Sequence, residues 1–74
     1  MPRLIRLDQT GHTTLAEWRA DDQTAYAAAA SAFREQLDRG YFGLVSHSEG
    51  RAEQVTELPA DAPMVILRRP IAGG

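Results

Sequence analysis

The sequence predicts an α+β fold, a mixed sheet of about four to five strands with one helix packed across it. Three observations carry this. Two strand-like segments flank a turn signal near the start, an alanine-rich segment of helical period follows, and a continuous apolar run lies close to the end. The chain has 74 residues, which makes one small domain. A domain of this size buries only roughly 60% of the surface its unfolded chain exposes, which leaves little room for an internal active-site cleft.

The elements follow in order. Residues 2–7 contain R-L-I-R-L, with Leu4, Ile5 and Leu7 supplying the apolar character of a strand. Asp8-Gln9-Thr10-Gly11 is a turn signal. Residues 12–18, HTTLAEW, are rich in β-branched and aromatic types and form the expected return strand of a hairpin. Asp21 and Asp22 then offer a helix N-cap and negative charge at the positive end of a helix dipole. The segment QTAYAAAASAFREQLDR has high helix propensity, and Tyr26, Ala30, Phe33 and Leu37 fall on one helical face. Gly40 stands where a C′ glycine ends a helix.

After the helix, residues 41–48, YFGLVSHS, have strand composition. Glu49 and Gly50 make a short turn, and residues 51–58 return as an exposed, charged strand. Residues 59–63 are a Pro-bounded loop. Met64, Val65, Ile66 and Leu67 form the apolar run, suited to a strand buried on both faces or in the middle of a sheet. If this last strand pairs parallel to the first, between the two hairpins, every apolar run finds a place. A ββαββ order with a central final strand is the β-grasp arrangement.

Composition limits the function classes. The net charge of −2 does not favour nucleic acid. No stretch approaches the ~20 apolar residues of a membrane span, and the N-terminus has no apolar signal region. A soluble, cytoplasmic protein is expected. With no cysteine there is no disulfide, thiolate nucleophile or cysteine-based metal site. His12 and His47 are far apart in sequence and read as surface histidines rather than metal ligands. All eight basic residues are arginines. That fits a GC-rich genome, and it also means that the protein cannot be acylated on a lysine side chain of its own.

The ends of the chain resemble a known superfamily. The first strand followed by D-Q-T-G-H-T-T-L resembles the opening of ubiquitin in layout and length, and the chain is of similar size. Its C-terminus is most similar to the sulfur carriers of the ubiquitin-like superfamily. Small subunits of molybdopterin synthase often end in an apolar strand and P-P-V-A-G-G. Here Arg69, Pro70, Ile71, Ala72, Gly73 and Gly74 follow the strand, with Arg for the first proline and Ile for Val. Residues 61–74 can be laid on that family's D-G-D-E-V…G-G stretch without a gap, departing from it at Ala62 and Pro63. Between Tyr26 and Leu58 there is no shared signature, and no functional residue is carried over there.

The resemblance implies a β-grasp domain over residues 1–69 and a flexible diglycine tail over residues 70–74. It implies a protein that is a co-substrate rather than an enzyme and binds no cofactor. A partner activating enzyme would adenylate the carboxylate of Gly74 with ATP. The activated end would then pass to an acceptor protein or synthase subunit. Glycines suit such a tail because they let the backbone approach closely and adopt any φ. Arg68 and Arg69 would recognise acidic groups on the partner, with Pro70, Ile71 and Ala72 completing the recognised tail. Equally, the two arginines keep an apolar strand from aggregating. Tyr41, Phe42, Leu44, Val45 and His47 form a candidate partner patch, because this segment holds more apolar surface than one strand face needs. Alternation puts Tyr41, Gly43, Val45 and His47 on one face and Phe42, Leu44 and Ser46 on the other, without saying which face meets the helix. The other reading is a non-covalent interaction module or small structural subunit of a larger assembly.

Overall fold

The computed structural model describes residues 1–48 and 51–69. The expected turn at Glu49 and Gly50, and residues 70–74, lie outside them. The described residues form β1 (Arg3–Asp8), β2 (Gly11–Glu17), α1 (Gln23–Asp38), β3 (Phe42–Ser48), β4 (Arg51–Val55) and β5 (Met64–Arg68).

Local chemistry sets the first elements. The hairpin turns at Gln9 and Thr10, where the Asp8 carboxylate accepts from the Thr10 hydroxyl at 2.6 Å and from the Thr10 N–H at 2.9 Å. Such Asx geometry stabilises a tight turn. These two bonds, with a smaller contribution from the Arg6 guanidinium, hold the Asp8 carboxyl below its ordinary value of 3.8. Pairing of β1 with β2 slips between Leu4 and Ile5, which face Ala16 and Thr14 respectively. Leu15 is the extra residue, and a bulge of this kind increases the local twist.

The helix is capped at both ends. Asp22 is the N-cap, its side chain accepting from the Ala25 N–H at 3.0 Å. At the other end the N–H of Gly40 donates to Leu37 and that of Tyr41 to Gln36. This pair of bonds is a Schellman cap, which needs a left-handed residue at its turn. Gly40 supplies it, with φ of 97°.

All five strands join one sheet in the order β2-β1-β5-β3-β4. Strand β5 lies between β1, parallel, and β3, antiparallel, and so holds the two hairpins together. The register sorts the two faces. Leu4, Val65 and Val45 share a row, and all are buried beneath the helix in one cluster with Phe33, Ala29 and Leu67. Gly43 lies on this face too, and a Cβ there would stand 2.5 Å from the Phe33 ring. The helix approaches the sheet at Gly43 as closely as the absence of a side chain permits.

Several expectations are corrected. Strand β4 ends at Val55 rather than reaching Leu58. The chain instead turns back towards the helix side, where Leu58 and Ala62 are buried. Two aromatic side chains pin it there: the Trp18 indole N–H donates to the Ala60 carbonyl at 3.0 Å, and the Tyr26 hydroxyl donates to the Leu58 carbonyl. Their rings meet edge to face with centroids 6.0 Å apart. Trp18 lies one residue past β2 and is almost wholly buried. The buried line of the helix is Ala29, Phe33 and Gln36, while Tyr26, Ala30 and Leu37 pack half-buried along its flanks. The apolar run of β5 is central but covered on one face only: Val65 and Leu67 are inside, Ile66 is half-buried and Met64 is 40% exposed. Among the described residues no helix is long and apolar enough to cross a membrane.

Candidate functional site

The site is built from the end of β5 outward. Strand alternation turns Val65 and Leu67 inward and Met64, Ile66 and Arg68 to the uncovered face. Arg68 is exposed and lies in register with Phe42. Arg69, the next residue, is also exposed, but its guanidinium lies over the ring of Tyr41, 5.5 Å from the centroid. The guanidinium of Arg6 lies over the same ring at 6.0 Å. Cations are drawn to an aromatic ring at such distances by its quadrupole. Arg6 is half-buried, its Nε has no hydrogen-bond partner, and the Asp8 carboxylate is 3.7 Å away. The expected tail-recognition residues therefore diverge at once. Arg68 belongs to the open sheet face, and Arg69 to a cluster with Tyr41 and Arg6. Pro70, Ile71, Ala72, Gly73 and Gly74 lie outside the described residues.

The expected patch in the third strand is divided by the same alternation. Val45 is a correction: it is 5% exposed and packs in the core beneath the helix, because Gly43 and Val45 share the covered face. Tyr41 stands with the two arginines. For His47 the description covers only its place in β3. Phe42 and Leu44 remain on the uncovered face, each half-buried. There Leu44, Ile66 and Ile5 are direct neighbours across three strands. Ile5 is only 8% exposed, yet it is no part of the core cluster beneath the helix. Leu7 and Met64 extend this apolar face, and Arg3 and Arg68 add positive charge to it by the same alternation.

Ile5, Ile66 and Arg6 were not singled out in the sequence. The signal was present in R-L-I-R-L and M-V-I-L-R: once β1 and β5 are parallel neighbours with Leu4 and Val65 inward, Ile5 and Ile66 must both face out. Arg6 must then point to the covered side.

Two open, shallow depressions also lie on the described surface. One lies on the helix, lined by Ala30, Ser31, Arg34, Glu35 and Asp38, and another beside its N-terminus, lined by Arg19, Asp21, Asp22, Gln23 and Thr24. Among the described residues, no three of His, Cys, Asp and Glu are grouped to hold a metal ion. The described surface presents an apolar sheet face, and two guanidiniums gathered on one aromatic ring. Compared with known proteins, the chain matches no family model, no curated protein and no solved structure.

Proposed function

We propose that the chain is a β-grasp, ubiquitin-like protein that acts through the carboxylate of Gly74, as a sulfur carrier or a protein modifier, the carrier form being preferred. The observation that carries this reading is the sequence Arg-Pro-Ile-Ala-Gly-Gly set directly after the central strand of the sheet. A central final strand, parallel to the first and flanked by two hairpins under one helix, supports the β-grasp assignment. Proline cannot donate a ladder hydrogen bond, so a proline two positions after Arg68, the last paired residue of β5, fits a chain that does not resume pairing.

The chemistry belongs to a partner. An activating enzyme joins the Gly74 carboxylate to the α-phosphate of ATP, forming an acyl-adenylate and releasing pyrophosphate. A sulfide sulfur then attacks the acyl carbon and AMP leaves, giving a thiocarboxylate for a synthase subunit to use. With a thiolate as nucleophile the product is a thioester, which an amine of an acceptor protein converts to an amide as the thiol departs. The enzyme supplies the nucleophile and the phosphate-binding groups. This chain supplies a body to recognise and a slim, reactive end, in the cytoplasm and without a cofactor of its own.

Intact mass spectrometry of the protein purified from its own cells tests this reading. The carrier form predicts a chain ending at Gly74 with one sulfur in place of one oxygen. The modifier form predicts a Gly-Gly remnant on lysines of other proteins after proteolysis. An unmodified chain, with full function after deletion of Gly73 and Gly74, overturns both. The uncovered face at Phe42, Leu44 and Ile66 favours the second reading, a non-covalent interaction module, and recovery of that unmodified chain stoichiometrically in one complex would support it.

A further inference from the structure

We propose that Tyr41 is a positioning residue that fixes where the chain leaves the sheet, by holding Arg69 against its ring. The inference deepens the carrier reading and rests on it for its purpose. Four elements converge on this one residue: α1, β3, β1 and the end of β5. The backbone of Tyr41 is set by the helix end: its N–H closes the Schellman cap by donating to the Gln36 carbonyl at 3.1 Å. The next residue, Phe42, pairs with Arg68, so β3 fixes Tyr41 from the other side. The ring thus has a defined place at the edge where the helix ends and β5 stops.

The two arginines reach that ring from different strands. Arg6 comes from β1, level with Leu67, and lies 6.0 Å from the ring centroid. Arg69 comes from just beyond β5 and lies 5.5 Å from it. Two guanidiniums on one ring repel each other, and the Asp8 carboxylate, 3.7 Å from Arg6 Nε, offsets part of that repulsion. Asp8 is itself held by Thr10. A continuous line of contacts therefore runs from the first turn, through Arg6 and Tyr41, to Arg69. Arg69 lies beyond the last ladder pair, Phe42 with Arg68, so the ring continues the hold on the chain for one residue past the sheet. A tail that must enter an enzyme channel gains from a fixed starting direction, because fewer conformations have to be excluded on binding.

The test is nuclear magnetic resonance of the ¹⁵N-labelled full chain. In the wild type and in Tyr41→Phe, which keeps the ring, the Arg69 amide should show an order parameter near the rigid value of about 0.85, and the Arg69 Nε–H resonance should be displaced by the ring current. In Tyr41→Leu the order parameter should fall below about 0.6 and the displacement should vanish. Arg69→Gln, on an exposed side chain past the last strand, gives a second measure that does not depend on Tyr41→Leu folding: the Tyr41 ring resonances should shift while those of the core stay in place. An ordered Arg69 in folded Tyr41→Leu, or an unmoved Tyr41 ring in Arg69→Gln, overturns the proposal. In cells, the converted fraction of Gly74 carboxylate should fall in Tyr41→Leu and be restored in Tyr41→Phe. If the resonance results hold while the wild-type carboxylate is never converted, the positioning contact stands and the carrier reading falls.

Discussion

Gly43 shows how one residue fixes the distance between two layers. Any side chain there would meet the Phe33 ring, 2.5 Å from the position of a Cβ, and Phe33 is itself buried. Overpacking a closed core forces either a shifted helix or an off-rotamer ring. Gly43→Ala should therefore cost about 1–3 kcal/mol, read as a lower urea midpoint with the m-value unchanged. The sequence offered Gly43 only as a position in a strand. Its role depends on Phe33, ten positions earlier, and no local pattern links the two. Gly40 is the opposite case. Its place after a helical run signals a C′ residue by itself, and the structure has it in the left-handed conformation that position demands.

At the level of elements, the segment between β4 and β5 is set by the side chains it covers. It has no ladder of its own. Its carbonyls at Ala60 and Leu58 accept from Trp18 and Tyr26. Trp18→Phe removes one of these bonds and empties part of a buried site, at a cost of about 1–3 kcal/mol, while Tyr26→Phe leaves the carbonyl of buried Leu58 without its donor, also at about 1–3 kcal/mol. Hydrogen exchange is the more specific measure. Amides of residues 60–62 should lose protection in Trp18→Phe, while those of β1 and β5 change only with the global stability. From its composition alone, residues 51–58 are expected to return as one exposed, charged strand reaching Leu58. What ends it is Leu58 itself, drawn into the core beside Trp18 rather than left on an exposed edge.

At the level of the whole molecule, the sheet has one covered and one open face, and adjacent residues of β3 fall on opposite sides. Val45→Arg would bury an unpaired charge beneath the helix and should unfold a domain whose total stability is of the order of 5–15 kcal/mol. Leu44→Arg faces outward and should leave the fold intact at a cost of about 1 kcal/mol. Circular dichroism melts of the two variants separate these outcomes. If the open face receives a partner, Leu44→Arg is also the variant that keeps the fold and loses the complex. The direction of the chain at Arg69 is a whole-molecule property too, since Arg6 in β1, Tyr41 between α1 and β3, and Arg69 just past β5 are far apart in the chain.

The sequence by itself determined the order of the elements, the helix with an N-cap at Asp21 or Asp22 and its stop at Gly40, the first turn, and the apolar run of the last strand. Each of these follows from short-range chemistry: a capping carboxylate, a left-handed glycine, an Asx turn, or an apolar run that only the middle of a sheet can accept. It also displayed Arg69 to Gly74, on which the functional proposal rests. The tertiary structure alone decided which face of β3 meets the helix, that Val45 is core while Leu44 is surface, that Ile5 and Ile66 adjoin Leu44, and that Arg6 and Arg69 share one ring. Alternation defines two faces but does not choose between them. That choice is made where Phe33 meets Gly43 and where β1 and β5, more than fifty residues apart in the chain, come into register.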